Sequence, residues 1–269
     1  MKTLDLSEMA WRITTEGWRL IFNALQSPGC KLQELHLPDS GLCDDDVTYL
    51  TSSLSGNCVL NHLTLFHNGD VTSSAWRAFS AVLQNPNSAL EKIDLAYSID
   101  NDALVSFADS LRHNSKLKEL FIDEHWDEED RTITDWDALT NVLCNKSSID
   151  ETFNSNHTLQ CIVDPDNNNN GANESQLPPD LITLLQLNRE NSPTEAARRK
   201  ILQVHFSGNF NMQPFINMDL KVLPRAVAWM ARDEYGGSLL YQVVRNTTFF
   251  VGVGGGGATK SPESKRQKR

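Results

Sequence analysis

The sequence predicts an α/β fold in which short strands and helices alternate as a solenoid. Three observations predict it. One phrase, apolar-x-x-apolar-x-apolar, is written at Leu32–Leu35–Leu37, Leu60–Leu63–Leu65, Leu90–Ile93–Leu95 and Leu117–Leu120–Ile122. Its starts lie 28, 30 and 27 residues apart, a period at which no unit hides its own apolar face and neighbours must stack. Each phrase then leads through a turn into apolar residues at helical spacing, closed by a helix breaker.

Taken in order, Met1–Leu4–Leu6 reads as an earlier phrase, and Trp18, Ile21, Phe22 and Leu25 as the helix after it. Val47, Leu50 and Leu54 predict the next helix, then Trp76, Phe79 and Leu83, then Leu104, Phe107 and Leu111. The stops are Gly56-Asn57, Asn85-Pro86 and His113-Asn114, residues that tolerate the backbone of a helix C-terminus or refuse to continue it. Leu139, Val142 and Leu143 form a further helix ending at Asn145; a degenerate strand is expected at Ile149–Phe153 and another at Leu159–Ile162. An insertion, Glu124 to Arg131, is dense in acid and carries Trp126; insertions in such arrays fall in loops on one face, often the binding face. Met1 stands where a consensus apolar residue belongs, so nothing in the chain covers the first strand. Either a partner covers that edge or the natural protein is longer, the second being preferred.

The array is expected over 1–163, with a polar linker at 164–179 rich in Asp, Asn, Pro and Gly. Residues 180–250 predict a helical C-terminal cap, with apolar faces at Leu181–Leu187, Thr194–Val204, Leu223–Met230 and Leu239–Val244. Ser192-Pro193-Thr194-Glu195 has the order of a helix start. Residues 251–269, Gly-rich and then basic, predict a disordered tail.

Leu32-Gln-Glu-Leu35-His-Leu37-Pro-Asp-Ser-Gly-Leu42, followed by Val47, Leu50 and Leu54 and preceded by Cys30-Lys31, resembles a leucine-rich repeat of the ribonuclease-inhibitor type. The resemblance covers about 1–163. Met218 to Met230, with Leu239-Leu240-Tyr241, resembles the C-terminal region of uncharacterised leucine-rich-repeat proteins from eukaryotic microalgae, a match that carries no activity. The class implies a curved solenoid with a parallel sheet on its concave face, where proteins bind. It does not imply ribonuclease inhibition, because this chain has five cysteines and about six units.

Composition narrows the classes further. No run approaches the roughly 18 consecutive apolar residues of a membrane span, and residues 1–8 lack an apolar secretory segment. The expected state of Cys30, Cys43, Cys58, Cys144 and Cys161 is free thiol in a reducing, cytoplasmic compartment. The net charge of −11 divides unevenly: residues 1–175 hold 11 Lys/Arg against 28 Asp/Glu, and 176–269 hold 13 against 7. An acidic body disfavours nucleic acid and favours a basic protein partner. The terminal Lys265-Arg266-Gln267-Lys268-Arg269 leaves open a nuclear-import signal, a contact with anionic surfaces, or a solubilising tail.

Variable residues of each phrase point away from the core. The position between the last two apolar residues reads His36, Thr64, Asp94, Phe121; the next column Pro38, Phe66, Ala96, Asp123; and beside it Asp39, His67, Tyr97, Glu124. Aromatics among charge are what protein interfaces use. The expected partner-binding set is therefore His36, Asp39, Thr64, Phe66, His67, Asp94, Tyr97, Phe121, Asp123 and Trp126. The alternative is a solvated strand face with aromatics packed on neighbours.

No catalytic residue, cofactor or metal is expected. Gly252-Val-Gly254-Gly-Gly-Gly257 matches a dinucleotide fingerprint but has no room for the helix that must follow. Asp166 to Gly171 opens like a calcium loop, yet Leu177 stands where a bidentate Glu is required. His36, His62 and His67 make a zinc pair conceivable, with solvated or hydrogen-bonding roles preferred. Cys30 and Cys58 recur at matching positions, which predicts structural burial. The leading functional expectation is a non-enzymatic scaffold that binds protein on its concave face. The alternative, by fold analogy alone, is a regulator of a small GTPase of the Ran-activating kind.

Overall fold

The computed structural model describes residues 2–7, 13–122, 133, 135–163 and 174–206. Within them strands and helices alternate: β1 (Thr3–Asp5), α1 (Thr15–Leu25), β2 (Glu34–His36), α2 (Asp44–Ser55), β3 (His62–Thr64), α3 (Ser73–Phe79), β4 (Lys92–Asp94), α4 (Asn101–Leu111), β5 (Glu119–Phe121) and α5 (Asp137–Leu143). Then come α6 (Ile149–Phe153), α7 (Pro179–Glu190) and α8 (Pro193–Phe206). The chain divides into two compact units, Met1–Ile201 and Leu202–Arg269. Of the second only residues 202–206 are described, so the account below concerns the first.

The sheet runs β1-β2-β3-β4-β5 with every pair parallel. A chain that lays parallel strands down in sequence order returns over the same face each time. The helices therefore form one layer, and among the described residues no helix covers the opposite face of the sheet. Leu4, Leu35, Leu63, Ile93 and Leu120 are register partners at the strand centres. From Leu35 onward they are buried, while their flanking residues in β2, β3 and β4 are half-buried. The helical residues singled out by spacing are buried too: Trp18, Phe22 and Leu25, then Val47, Leu50 and Leu54, then Trp76, Phe79 and Leu83, then Leu104, Phe107 and Leu111.

Local chemistry sets the helix starts. The Thr14 hydroxyl accepts the Gly17 N–H at 3.3 Å, and the Asp100 carboxylate accepts that of Ala103 at 2.9 Å. At α2 the Asp46 carboxylate accepts the Cys43 backbone N–H at 3.1 Å. Each satisfies a donor that the helix end leaves without an internal partner. Beyond α3 the backbone tightens into a 3₁₀ turn over Ser80–Gln84 and leaves Asn85 extended. Pro86 accounts for this, since its ring disfavours helical backbone at the residue before it.

Two ladders of buried side chains tie unit to unit. After a helix, Asn57 donates to the Leu25 carbonyl at 2.7 Å, Asn114 to Leu83 at 2.8 Å and Asn156 to Leu111 at 2.8 Å. Each amide oxygen accepts the N–H groups that open the next phrase, at Leu60, Leu117 and Leu159. After the strands, Asn68 accepts from Ser40 N at 3.1 Å and Leu42 N at 3.3 Å, and donates to the Leu37 and Leu65 carbonyls. Ser98 then accepts from Asn68 N at 2.9 Å and donates to Leu65 O at 2.7 Å.

Three expectations change. Ile149–Phe153 is helical, not a strand. The Ser148 hydroxyl accepts the Glu151 N–H, and Asp150 and Glu151 lie in the first turn, which favours a helix start. Cys30 is half-buried and Cys58 exposed, so their matching positions do not bury them. Ala96 and Phe121, expected in exposed columns, are buried, Phe121 to 2 %.

At Leu159–Ile162, where a strand is expected, the structure has a single parallel bridge, Cys161 to Glu119. Leu120 N donates to Cys161 O at 3.0 Å and Gln160 N to Lys118 O at 2.7 Å, so hydrogen bonding continues past β5 through one isolated bridge. Of the expected linker, residues 164–173 lie outside the described residues; Glu174–Gln176 is a 3₁₀ turn and Leu177 is buried. Helices α7 and α8 fall where the sequence predicts them, with Leu181, Leu184, Leu185, Ala196, Ala197 and Ile201 buried. The acidic insertion, the glycine run, the calcium-like loop, the helices expected after residue 206 and the basic tail lie outside the described residues.

Candidate functional site: the open face of the sheet

Strand alternation puts two columns of side chains on the open face. The first is Thr3, Glu34, His62, Lys92 and Glu119; the second is Asp5, His36, Thr64, Asp94 and Phe121. Sequence reasoning found the second column and missed the first. The signal was present, because Glu34 lies two residues before His36 and so shares its face.

The columns are cross-linked. Thr3 donates to Glu34 at 2.9 Å, and His36 Nδ1 lies 2.9 Å from the Thr64 hydroxyl. The His36 and His62 rings meet edge to face at 4.8 Å. Burial, helped by His36 and Lys92, holds His62 down to about 4, so it is neutral at pH 7. Lys92 pairs with Glu119 at 3.2 Å, and its Nζ lies 4.5 Å over the Phe121 ring. Phe121 thus underlies the face instead of projecting from it.

The backbone ladder continues one step beyond the strands. Asp39 N donates to Phe66 O at 2.8 Å and His67 N to Ala96 O at 2.9 Å. At this step Asp39, His67 and Tyr97 have φ of 46°, 59° and 58°. Left-handed backbone at a residue with a Cβ costs of order 1 kcal/mol or more, and here it recurs at matching positions of three consecutive units. It turns the chain off the strand and presents three stacked side chains. Asp39, 77 % exposed at its side chain, lies 3.4 Å from His67 Nδ1. Phe66 and Tyr97 meet edge to face at 5.4 Å, and His67 lies 6.0 Å from Tyr97.

Of the expected set, the structure brings together His36 with Thr64, and Asp39, Phe66, His67 and Tyr97 in one cluster; Asp94 shares the second column with Thr64. It sets Phe121 below the surface. Asp123 and Trp126 lie outside the described residues.

A second polar assembly lies at the far end of the sheet, inside the fold. Lys200 Nζ, with the residue fully buried, donates to Leu143 O at 2.7 Å and Asn156 O at 3.1 Å and lies 3.2 Å from His157 Nδ1. His157 Nε2 lies 3.1 Å from Phe153 O. A proton on Nε2 donates to that carbonyl and leaves Nδ1 to accept from the lysine. Three acceptors meet three ammonium donors, which makes this a structural clasp joining the last carbonyl of α5 to the Asn156–His157 turn.

Among the described residues no three His, Cys, Asp or Glu side chains are grouped to hold a metal ion, and no helix is long and apolar enough to cross a membrane. No family model matches the chain, and no curated protein matches it.

Proposed function

We propose that this chain is a non-catalytic docking module, a leucine-rich-repeat solenoid of the ribonuclease-inhibitor type that receives a protein partner on the open, concave side of its sheet. The observation that carries this reading is the recurrence of left-handed backbone at Asp39, His67 and Tyr97. Burial of leucines explains why the units stack, but it does not require strained backbone at the same step three times. A rigid scaffold that holds aromatic and charged groups in register lowers the ordering cost of association. The half-buried Phe66 and Tyr97 rings supply anchors beside the His67–Asp39 pair.

A photo-reactive amino acid placed at Phe66, and separately at Val105 on the helical side, tests the proposal. Crosslinks of discrete mass from position 66, absent from 105 and suppressed by excess unlabelled protein, are expected. Equal labelling from both positions, or none from 66, would remove the reading.

A further inference from the structure

The open face is electrostatically divided between its two edges. At the edge where strands end and helices begin, residues 37–46, 65–75 and 95–103 carry Asp39, Asp44, Asp45, Asp46, Asp70, Asp100 and Asp102 and no Lys or Arg. At the opposite edge, residues 26–33, 56–61, 85–91, 112–118 and 144–147 carry Lys31, Arg112, Lys116, Lys118 and Lys146, with Glu91 their sole acid. The cationic edge is partly closed on itself, because Lys118 pairs with Glu91 at 2.7 Å. Asp44 and Asp100 are engaged within the fold: Asp44 accepts from Thr72 N and Oγ1 at 2.8 Å each, and Asp100 accepts from Ser73. Asp46 is buried at the start of α2. Asp39 and Asp70 stay exposed in these stretches, with His67 Nδ1 3.4 Å from Asp39, and among the described residues of this edge there is no Lys or Arg.

We infer that the occupant of this face is a lysine- and arginine-bearing segment of a partner protein, laid across the strands along the acidic edge, with cationic side chains reaching Asp39 and Asp70 and the ring faces of Phe66 and Tyr97. The inference rests on the docking reading above and gives it a partner chemistry and an orientation. Complementary charge brings the segment to one edge and repels it from the other. The aromatic pair then supplies the desolvated contact, since cations bind ring faces. Among the described residues the fold makes that contact with Lys92 over Phe121 at 4.5 Å and with Arg19 over Tyr49 at 4.2 Å.

The test uses the full chain and labelled peptides of about a dozen residues: one rich in Arg and Lys, one rich in Glu, and one neutral. Fluorescence anisotropy is read at low and moderate salt. The basic peptide should bind, weaken as salt rises, and crosslink from position 66. Asp39→Asn with Asp70→Asn should weaken it about tenfold, and Phe66→Ala about fivefold, magnitudes typical of interface charges and anchors. Asp109→Asn with Asp150→Asn, the same charge change on the helices, should alter affinity less than about twofold. An equal loss in that control would reduce the effect to net charge and overturn the inference. So would tighter binding of the Glu-rich or neutral peptide; if that peptide crosslinks from position 66, docking stands and the basic occupant falls. Absence of any specific crosslink from position 66, with peptides or with proteins, removes the docking reading itself.

Discussion

The units between Leu32 and Ile122 and the segment from Asp137 to Ile201 solve the same problem differently. Every connection that crosses a stack of helices buries backbone groups, and each needs a partner. In the interior the answer is periodic, an Asn or Ser at a fixed step reaching into the neighbouring unit. At the C-terminal end the period breaks. Asn156 and Asn188 continue the pattern, and Lys200 reaches across from α8 to the Leu143 and Asn156 carbonyls. A repeating sequence can reuse one short side chain; an irregular end needs a long one.

The largest expected effect breaks the interior solution. Asn68→Ala removes the partners of the Ser40 and Leu42 N–H groups and of the Leu37 carbonyl at once, while Leu65 O keeps the Ser98 hydroxyl. Buried groups left unpaired cost about 1–3 kcal/mol each before relaxation, so a loss of about 4 kcal/mol is expected in urea denaturation. A loss below about 1 kcal/mol would mean the ladder is decorative. Next, Phe121→Ala should cost about 3 kcal/mol, as for any buried aromatic. The same change at Phe66 is a far milder one, which makes the pair a direct measure of which column is core.

The clasp at the other end should respond to pH. Burial pushes Lys200 down to about 7 and His157 down to about 4. Unfolded, the two hold their protons to about 10.5 and 6.5. The unfolded chain therefore binds more protons between about pH 7 and 10.5, and again between about 4 and 6.5, and stability rises with pH across both windows. Because the groups touch, the two steps belong to the pair. Lys200→Met removes the buried ammonium and leaves the Leu143 carbonyl and His157 Nδ1 without that donor, so a loss of about 1–3 kcal/mol is expected at pH 7. It should also flatten the rise in melting temperature from pH 7 to pH 9. A slope unchanged by Lys200→Met would show that other groups set it.

Most of the stacking was legible in the sequence. The leucines of each phrase and the helical triplets were found because a period identifies which face of an element is covered. A period does not tell how deeply a neighbour covers it. Phe121 follows the rule for an outward residue, yet lies buried with Lys92 above its ring. Cys30 and Cys58 share a step without sharing a depth. The run Ile149–Phe153 was too short for periodicity to separate strand from helix, and Ser148 with the acids after it was the better signal. Lys200 sits on the stripe Ala196, Ala197, Lys200, Ile201, so a lysine on an apolar helical face was readable as buried. Its acceptors were not, because they come from two other elements.

The smallest expected effect on folding bears most on function. Phe66 is half-buried and touches Tyr97 edge to face at 5.4 Å. Phe66→Ala should therefore cost about 1 kcal/mol or less, a shift of a few degrees in melting temperature for a unit of this size. Its left-handed neighbours His67 and Tyr97 are held by backbone bonds and by the Asn68–Ser98 ladder, so the strained step survives the change. Stability and binding then separate. A residue kept for packing loses both together, whereas a residue kept for a partner loses affinity while the melt stays nearly in place. Measuring the two on one preparation of Phe66→Ala decides which selection acts on the open face.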